Sequence, residues 1–153
     1  MTPRGRAPVI NATAAALLGL LHDGPMSGGR LVSAADGRFG SFFSVTRSQV
    51  YRELPALTEA GLLKLGEQGP RASQQYVITA AGRRAFAAWL ASGGGSESLR
   101  SPLVLRLLHA GAIPADERKE LVRCNRDTFG ARLASARAAA RGEDDPYRRA
   151  VAD

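Results

Sequence analysis

The stretch Thr46-Arg47-Ser48-Gln49-Val50-Tyr51-Arg52-Glu53-Leu54-Pro55-Ala56-Leu57-Thr58-Glu59-Ala60-Gly61 carries both ends of a helix. Thr46 and Gln49 have capping-box spacing, in which each side chain satisfies a backbone donor that the first helical turn leaves unpaired. Val50, Leu54 and Leu57 recur at spacings of four and three, so one stripe of this helix is buried. Gly61 stands where a glycine closes a helix. Pro55 is discordant, because proline inside a helix removes a hydrogen bond and can cost ~3 kcal/mol. A bend is expected there and not a break, since the apolar stripe continues in register beyond it.

Downstream, Leu62 to Glu67 and Gln74 to Ile78 read as short strands. The turn formers of residues 68–73 separate them, which predicts a β-hairpin with Arg71 at a basic tip. Thr79 then caps a helix from Ala80 to about Leu90, with Phe86, Trp89 and Leu90 as its apolar contribution. Upstream, Ala14, Leu17, Leu18 and Leu21 fall at helical spacing over residues 12–22. Asn11 or Thr13 is available as the cap, and Asp23-Gly24-Pro25 as the stop. Ser27 caps a second helix, expected to reach about Asp36 and to close at Gly37. Phe39, Phe42 and Phe43 then crowd one connector, which predicts a loop pinned into the core.

Residues 1–11 lack an apolar period and read as a tail. Gly93-Gly94-Gly95-Ser96 is the one low-complexity stretch and places a linker over residues 93–98. This divides the chain into a first domain, residues 12–92, and a helical region, residues 99–153. In the second, Ser101-Pro102 opens a helix with Leu103, Leu107 and Leu108. A longer helix is expected from Ala115 to about Arg141, striped by Leu121, Asn125, Phe129, Leu133, Ala136 and Ala140.

Three helices, a hairpin and a further helix follow the order of a winged helix-turn-helix. The fold class is thus mainly α with a small β-hairpin. In this arrangement the third helix enters the major groove of DNA and the hairpin tip follows the backbone. The charge agrees: Lys plus Arg number 21 against 14 acids, a net +7 that favours a polyanionic partner, nucleic acid first, here double-stranded DNA, and an anionic membrane surface second. Arginine dominates this set, Lys64 and Lys119 being the only lysines, a usage associated with GC-rich bacterial genomes. Cys124 is the single cysteine and His22 and His109 are far apart, so a structural zinc site lacks ligands and no metal or cofactor is expected. No apolar run reaches the roughly 18–20 residues of a membrane span. The basic start, Met1 to Arg6, precedes a short apolar stretch without a small-residue cleavage site, and the chain is read as cytoplasmic.

Enzymatic function is not expected. Neither histidine lies in a nucleophile-and-base motif, and no glycine run precedes the Gly-Lys-Ser/Thr of a phosphate loop. The candidates are DNA contacts. The first turn of the third helix offers Thr46, Arg47, Ser48, Gln49, Tyr51 and Arg52. Arginine pairs bidentately with guanine and glutamine with adenine, whereas serine and tyrosine reach phosphates or bases. Taken alone, these are equally a solvated polar face opposite a core stripe; the basic hairpin shifts the balance. Ser27 and Gly28 open the second helix, where free backbone N–H groups take a phosphate oxygen. Lys64 and Arg71 on the hairpin are candidate phosphate contacts. The competing reading is a winged helix that docks on a protein through an apolar or mixed face.

The stretch from Ala15 to Leu90 resembles the PadR-like transcriptional regulators. Ala16-Leu17-Leu18-Gly19-Leu20-Leu21, Gly24-Pro25-Met26-Ser27-Gly28, Gln49-Val50-Tyr51-Arg52-Glu53-Leu54, Glu59-Ala60-Gly61-Leu62 and Tyr76-Val77-Ile78-Thr79-Ala80-Ala81-Gly82-Arg83 carry the resemblance, in family order and spacing. Asp145-Pro146-Tyr147-Arg148-Arg149 resembles the start of the family's last helix. Gly29 stands where the family usually has an aromatic, Pro55 is unusual, and Asp153 follows closely on that last motif. The chain is therefore either a short form or lacks its final helix. The resemblance implies a homodimeric, ligand-responsive repressor with a helical dimerisation region and a small aromatic or apolar effector. Trp89 is the candidate to line the effector pocket, against packing between domains as the plainer role. Leu121, Phe129 and Leu133 supply a dimerisation stripe, with Asn125 as a polar interruption that can set its register.

Overall fold

The computed structural model describes residues 8–40, 42–94 and 101–152. Most of the expected N-terminal tail, and residues 95–98 of the expected linker, lie outside these. The chain divides into two compact units, the first ending at Gly95 and the second starting at Ser96.

The first unit is built on α1 (Ala12–Leu20), which is apolar on every side and buries Ala14, Ala15, Leu17, Leu18 and Leu20. A helix of that kind belongs at the centre of a domain, where all its faces find partners. Asn11 is its cap, accepting from the Ala14 amide at 2.7 Å, while its side-chain amide donates to Glu53 at 3.1 Å. Around it pack α2 (Gly28–Phe39), α3 (Arg47–Glu59) and α4 (Ala80–Ala91). Leu31 and Ala35 of α2 are buried, as are Val50, Leu54 and Leu57 of α3, the stripe read from the sequence.

The hairpin consists of β2 (Leu63–Gln68) and β3 (Gln74–Ile78), antiparallel, with Leu63 opposite Ile78 and Lys64 opposite Val77. A third strand, β1 (Met26–Ser27), pairs with β3 through Met26 and Tyr76, giving the order β1-β3-β2. Two residues are too few to show a period, which is why the sequence predicted the hairpin alone. At the tip, Arg71 and Ala72 both take left-handed backbone conformations (φ 58° and 56°), and the Ser73 amide donates to the Pro70 carbonyl at 3.3 Å. This is the geometry of a tight two-residue hairpin turn, normally filled by Asn-Gly.

One junction ties these parts together. Gly61 ends α3 with φ +72°, and the Thr79 hydroxyl donates to its carbonyl at 2.7 Å. Thr79 also caps α4, accepting from the Gly82 amide at 3.0 Å, and its own amide donates to the Leu62 carbonyl at 3.1 Å. Gly82 lies so close to Leu62 that an added Cβ would strike the Leu62 carbonyl oxygen.

Three expectations are corrected. Helix α2 runs through Gly37 to Phe39 and ends at Gly40, because one glycine in a helix interior weakens it without stopping it. Only Phe39 and Phe43 of the connector pack on the core; Phe42 is 64% exposed and meets Phe39 edge-on. Pro55, as expected, does not break α3, and it sits on the exposed side of that helix. In α4 the buried residues are Gly82 and Ala85, and Phe86 is partly buried against the core, whereas Trp89 and Leu90 are exposed.

The second unit holds α5 (Pro102–Leu108), α6 (Ala115–Arg141) and α7 (Pro146–Ala152). Asp145 caps α7, accepting from the Tyr147 and Arg148 amides at 2.9 and 3.1 Å, and α7 packs on α6. On α6 the Arg123 guanidinium donates twice to Glu120, which holds that carboxyl below the usual carboxylate range.

The glycines give a paired prediction. Gly37 has open space where a Cβ would stand, so Gly37→Ala should raise stability by ~0.5–1 kcal/mol. Gly82→Ala should lower it by ~1–3 kcal/mol, as overpacking against a fixed backbone does. Urea unfolding midpoints of the two variants, with unchanged slopes, are the check.

Candidate nucleic-acid interface

The capping box at the start of α3 is complete. The Thr46 hydroxyl accepts from the Gln49 amide at 3.2 Å, and the Gln49 side-chain oxygen accepts from the Thr46 amide at 2.8 Å. This bears on the reading of Gln49 as an adenine contact. Bidentate pairing with adenine needs the side-chain oxygen and nitrogen together. With the oxygen engaged, the half-buried Gln49 offers only its two N–H donors.

Arg47, Ser48 and Arg52 are exposed. The first turn of α3 contains no acidic residue. The helix N-terminus carries a partial positive charge that ordinarily attracts Asp or Glu, so an arginine at this end adds positive potential to positive potential. The Arg47 guanidinium lies over the Tyr51 ring, 5.1 Å from its centre. Tyr51 is 45% exposed, and its ring rests on α2: a Cβ on Gly28 would stand 3.0 Å from the ring and 3.1 Å from the hydroxyl oxygen. Arg47, Tyr51 and Gly28 are thus the candidates that the fold brings into contact. Ser27 caps α2, accepting from the Arg30 amide at 3.3 Å, and pairs with Gln75 as part of β1.

Lys64 and Arg71 are exposed on the hairpin, Arg71 in the strained turn. Trp89, near the end of α4, is 37% exposed. Leu121 and Asn125 of α6 are half-buried, and Phe129 and Leu133 are exposed. Asn125 donates to the Leu121 carbonyl at 2.7 Å, which turns its amide back onto its own helix. Among the described residues, no group of three or more His, Cys, Asp or Glu is placed to hold a metal ion, and no helix is long and apolar enough to cross a membrane. Sequence reasoning missed the pairing of Gly28 with Tyr51. The only signal for it was two glycines in succession, Gly28 and Gly29, at a helix start.

Residues 17–88 match the transcriptional regulator PadR-like family. The matched segment is just under half of the chain. Along 78 residues it is 35% identical to the negative transcriptional regulator PadR of Bacillus subtilis (strain 168), a match covering 49% of this chain and 43% of that protein. The match therefore spans less than half the length of that curated relative. Among solved structures, the PadR-like transcriptional regulator BC1756 from Bacillus cereus superposes with a TM-score of 0.79, at 21% identity over 92% of this chain and 85% of that one. Bacillus subtilis PadR in complex with operator DNA gives 0.76, at 23% identity over 91% and 81%. The same regulator in complex with p-coumaric acid gives 0.67, at 22% identity over 90% and 78%. At these identities the likeness is one of fold, the winged-helix architecture described above.

The cap of α3 can be tested apart from any ligand. Gln49→Glu keeps an acceptor at the third helical position and should leave stability unchanged or raise it by ~0.3–1 kcal/mol. Thr46→Ala should lower it by ~1 kcal/mol. Thermal unfolding monitored by circular dichroism distinguishes the two outcomes.

Proposed function

We propose that this PadR-like chain is a sequence-specific DNA-binding transcriptional regulator, acting as a ligand-responsive repressor. Residues 12–92 form the DNA-binding domain and residues 99–153 the dimerisation region. The observation that carries the reading is the opening of α3, where exposed Arg47 occupies the positive end of a helix whose first turn has no acid. Stability alone selects the opposite charge there. An approaching polyanion reverses that preference, and a protein-docking face would be apolar or mixed. Arg47 reads bases; Ser48, Tyr51, Arg52 and Ser27 at the start of α2 meet phosphate or base edges; Gly28, buried beneath the Tyr51 ring, supports that surface from within; Lys64 and Arg71 hold phosphates from the wing. Thr46 and Gln49 support the helix end, with the Gln49 N–H donors free to join.

Two further parts of the reading rest on the family likeness. The first is an aromatic or apolar effector acting near Trp89; p-coumaric acid, held by the solved relative, represents the class. The second is a two-fold homodimer, because a single winged helix covers one half-site and paired half-sites lie roughly 34–36 Å apart. The exposed Phe129 and Leu133 on α6 support a pairing surface there, with Leu121 and Asn125 along the same stripe.

DNA binding is tested by fluorescence anisotropy on duplex from upstream of the protein's own gene. Arg47→Ala should cost ~1–3 kcal/mol and relax base preference. Arg71→Ala should weaken all sequences about equally and reduce the salt slope by about one. Unchanged binding by both variants overturns the assignment. For the dimer, Phe129→Glu should shift sedimentation toward the monomer while leaving the circular dichroism spectrum in place. A parent that stays monomeric at high micromolar concentration overturns the dimer.

A further inference from the structure

Arg47 has a problem that the rest of the interface does not share. It stands at the positive end of α3, where a cation is repelled by the unpaired N–H groups, and its long side chain has rotamer freedom to lose before it can read a base. No carboxylate pairs with it among the described salt bridges. Its neighbour is instead the Tyr51 ring, one turn along the same helix face, 5.1 Å from guanidinium carbon to ring centre. That lies within the ~6 Å over which the negative face of an aromatic ring attracts a cation.

The ring itself is placed by another element. Tyr51 rests on the first residue of α2 because that residue is Gly28: a side chain would begin 3.0 Å from two ring carbons and 3.1 Å from the hydroxyl oxygen. Such contact is tighter than real Cβ atoms ordinarily make, so with any other residue here the ring would have to give by a few tenths of an ångström. Gly28 is buried, and its helical backbone does not require glycine. The missing side chain is therefore matched to the ring that covers it.

We propose that Tyr51, seated on Gly28, is a positioning residue that fixes the Arg47 guanidinium for base reading before DNA arrives. Resting over an aromatic face leaves the guanidinium N–H donors, which radiate from its edge, available for a bidentate pair. The ring so offsets the unfavourable helix end, limits the rotamers of Arg47 and keeps its donors free. The proposal rests on the DNA-binding reading and adds to it the origin of discrimination. It makes Tyr51 act through Arg47, and not chiefly through its hydroxyl on phosphate.

The test uses the full chain and two duplexes, one enriched by the parent from a random pool and one scrambled. Tyr51→Phe keeps the ring and loses the hydroxyl; Tyr51→Leu keeps an apolar side chain over Gly28 and loses the platform. Tyr51→Leu should reduce the ratio of specific to scrambled affinity by roughly two- to fivefold, the range of an exposed cation–π contact. Tyr51→Phe should retain the ratio. In the Arg47→Ala background, Tyr51→Leu should have no further effect on the ratio. Carbon-13 spectra of the free protein should show the Arg47 side chain losing its ring-current shift in Tyr51→Leu alone. Additive losses in the double variant, or an equal loss in Tyr51→Phe, overturn the positioning role and leave DNA binding standing. A parent that enriches no duplex overturns both readings.

Discussion

The arrangement of the first unit depends on how α3 is joined to the wing and to α4. The Thr79 side chain reaches back to the Gly61 carbonyl while capping α4, and the Thr79 amide holds Leu62. One residue thereby sets where α3 stops, where the hairpin begins and where the last helix of the domain starts. Gly82 permits this by bringing the α4 backbone against Leu62, at a separation that no side chain allows. Arg47 and Arg71 lie on opposite sides of that junction along the chain. The hydrogen bonds of the Thr79 hydroxyl and amide therefore lie between them along the chain.

Within that frame, backbone hydrogen bonding and charge make opposing demands on the start of α3. The capping box satisfies the backbone and takes the Gln49 oxygen to do so. The charge at the same end runs against the helix dipole. Local rules fail most informatively where function requires it, and here one turn obeys the hydrogen-bond rule and breaks the electrostatic one. Pro55 is a milder case. It is tolerated because it lies on the exposed side, outside the Val50-Leu54-Leu57 stripe.

Much of this was legible in the residues. Thr46 with Gln49, Ser27 and Thr79 marked three helix starts through local chemistry, and Leu17, Leu18, Val50, Leu54 and Leu57 marked the core through spacing. Strand β1 was not legible, since two residues owe their conformation to Gln75 and Tyr76 across the sheet. The exposure of Trp89 and Phe42 was equally hidden, because hydrophobicity states a preference and topology decides whether there is room. At the candidate interface, residue types gave Arg47, Tyr51 and Gln49. That Gln49 is partly engaged and Tyr51 leans on Gly28 depends on side-chain directions, which carry no sequence period.

The turn at Arg71 and Ala72 has a consequence for how the hairpin is held together. Each residue sits in a left-handed conformation that disfavours a side chain by roughly 1–2 kcal/mol, so the tip opposes closure by ~2–4 kcal/mol when nothing else has formed. An Asn-Gly hairpin can nucleate at its turn and zip toward its open end. This one gains nothing at its turn. Its strands are aligned by Leu63 and Ile78 on the helical core and by the pairing of β3 with Met26, so the tip draws on contacts made elsewhere. The wing then carries its arginine on the segment that opens at least cost, while the residues that align it share the stability of the core.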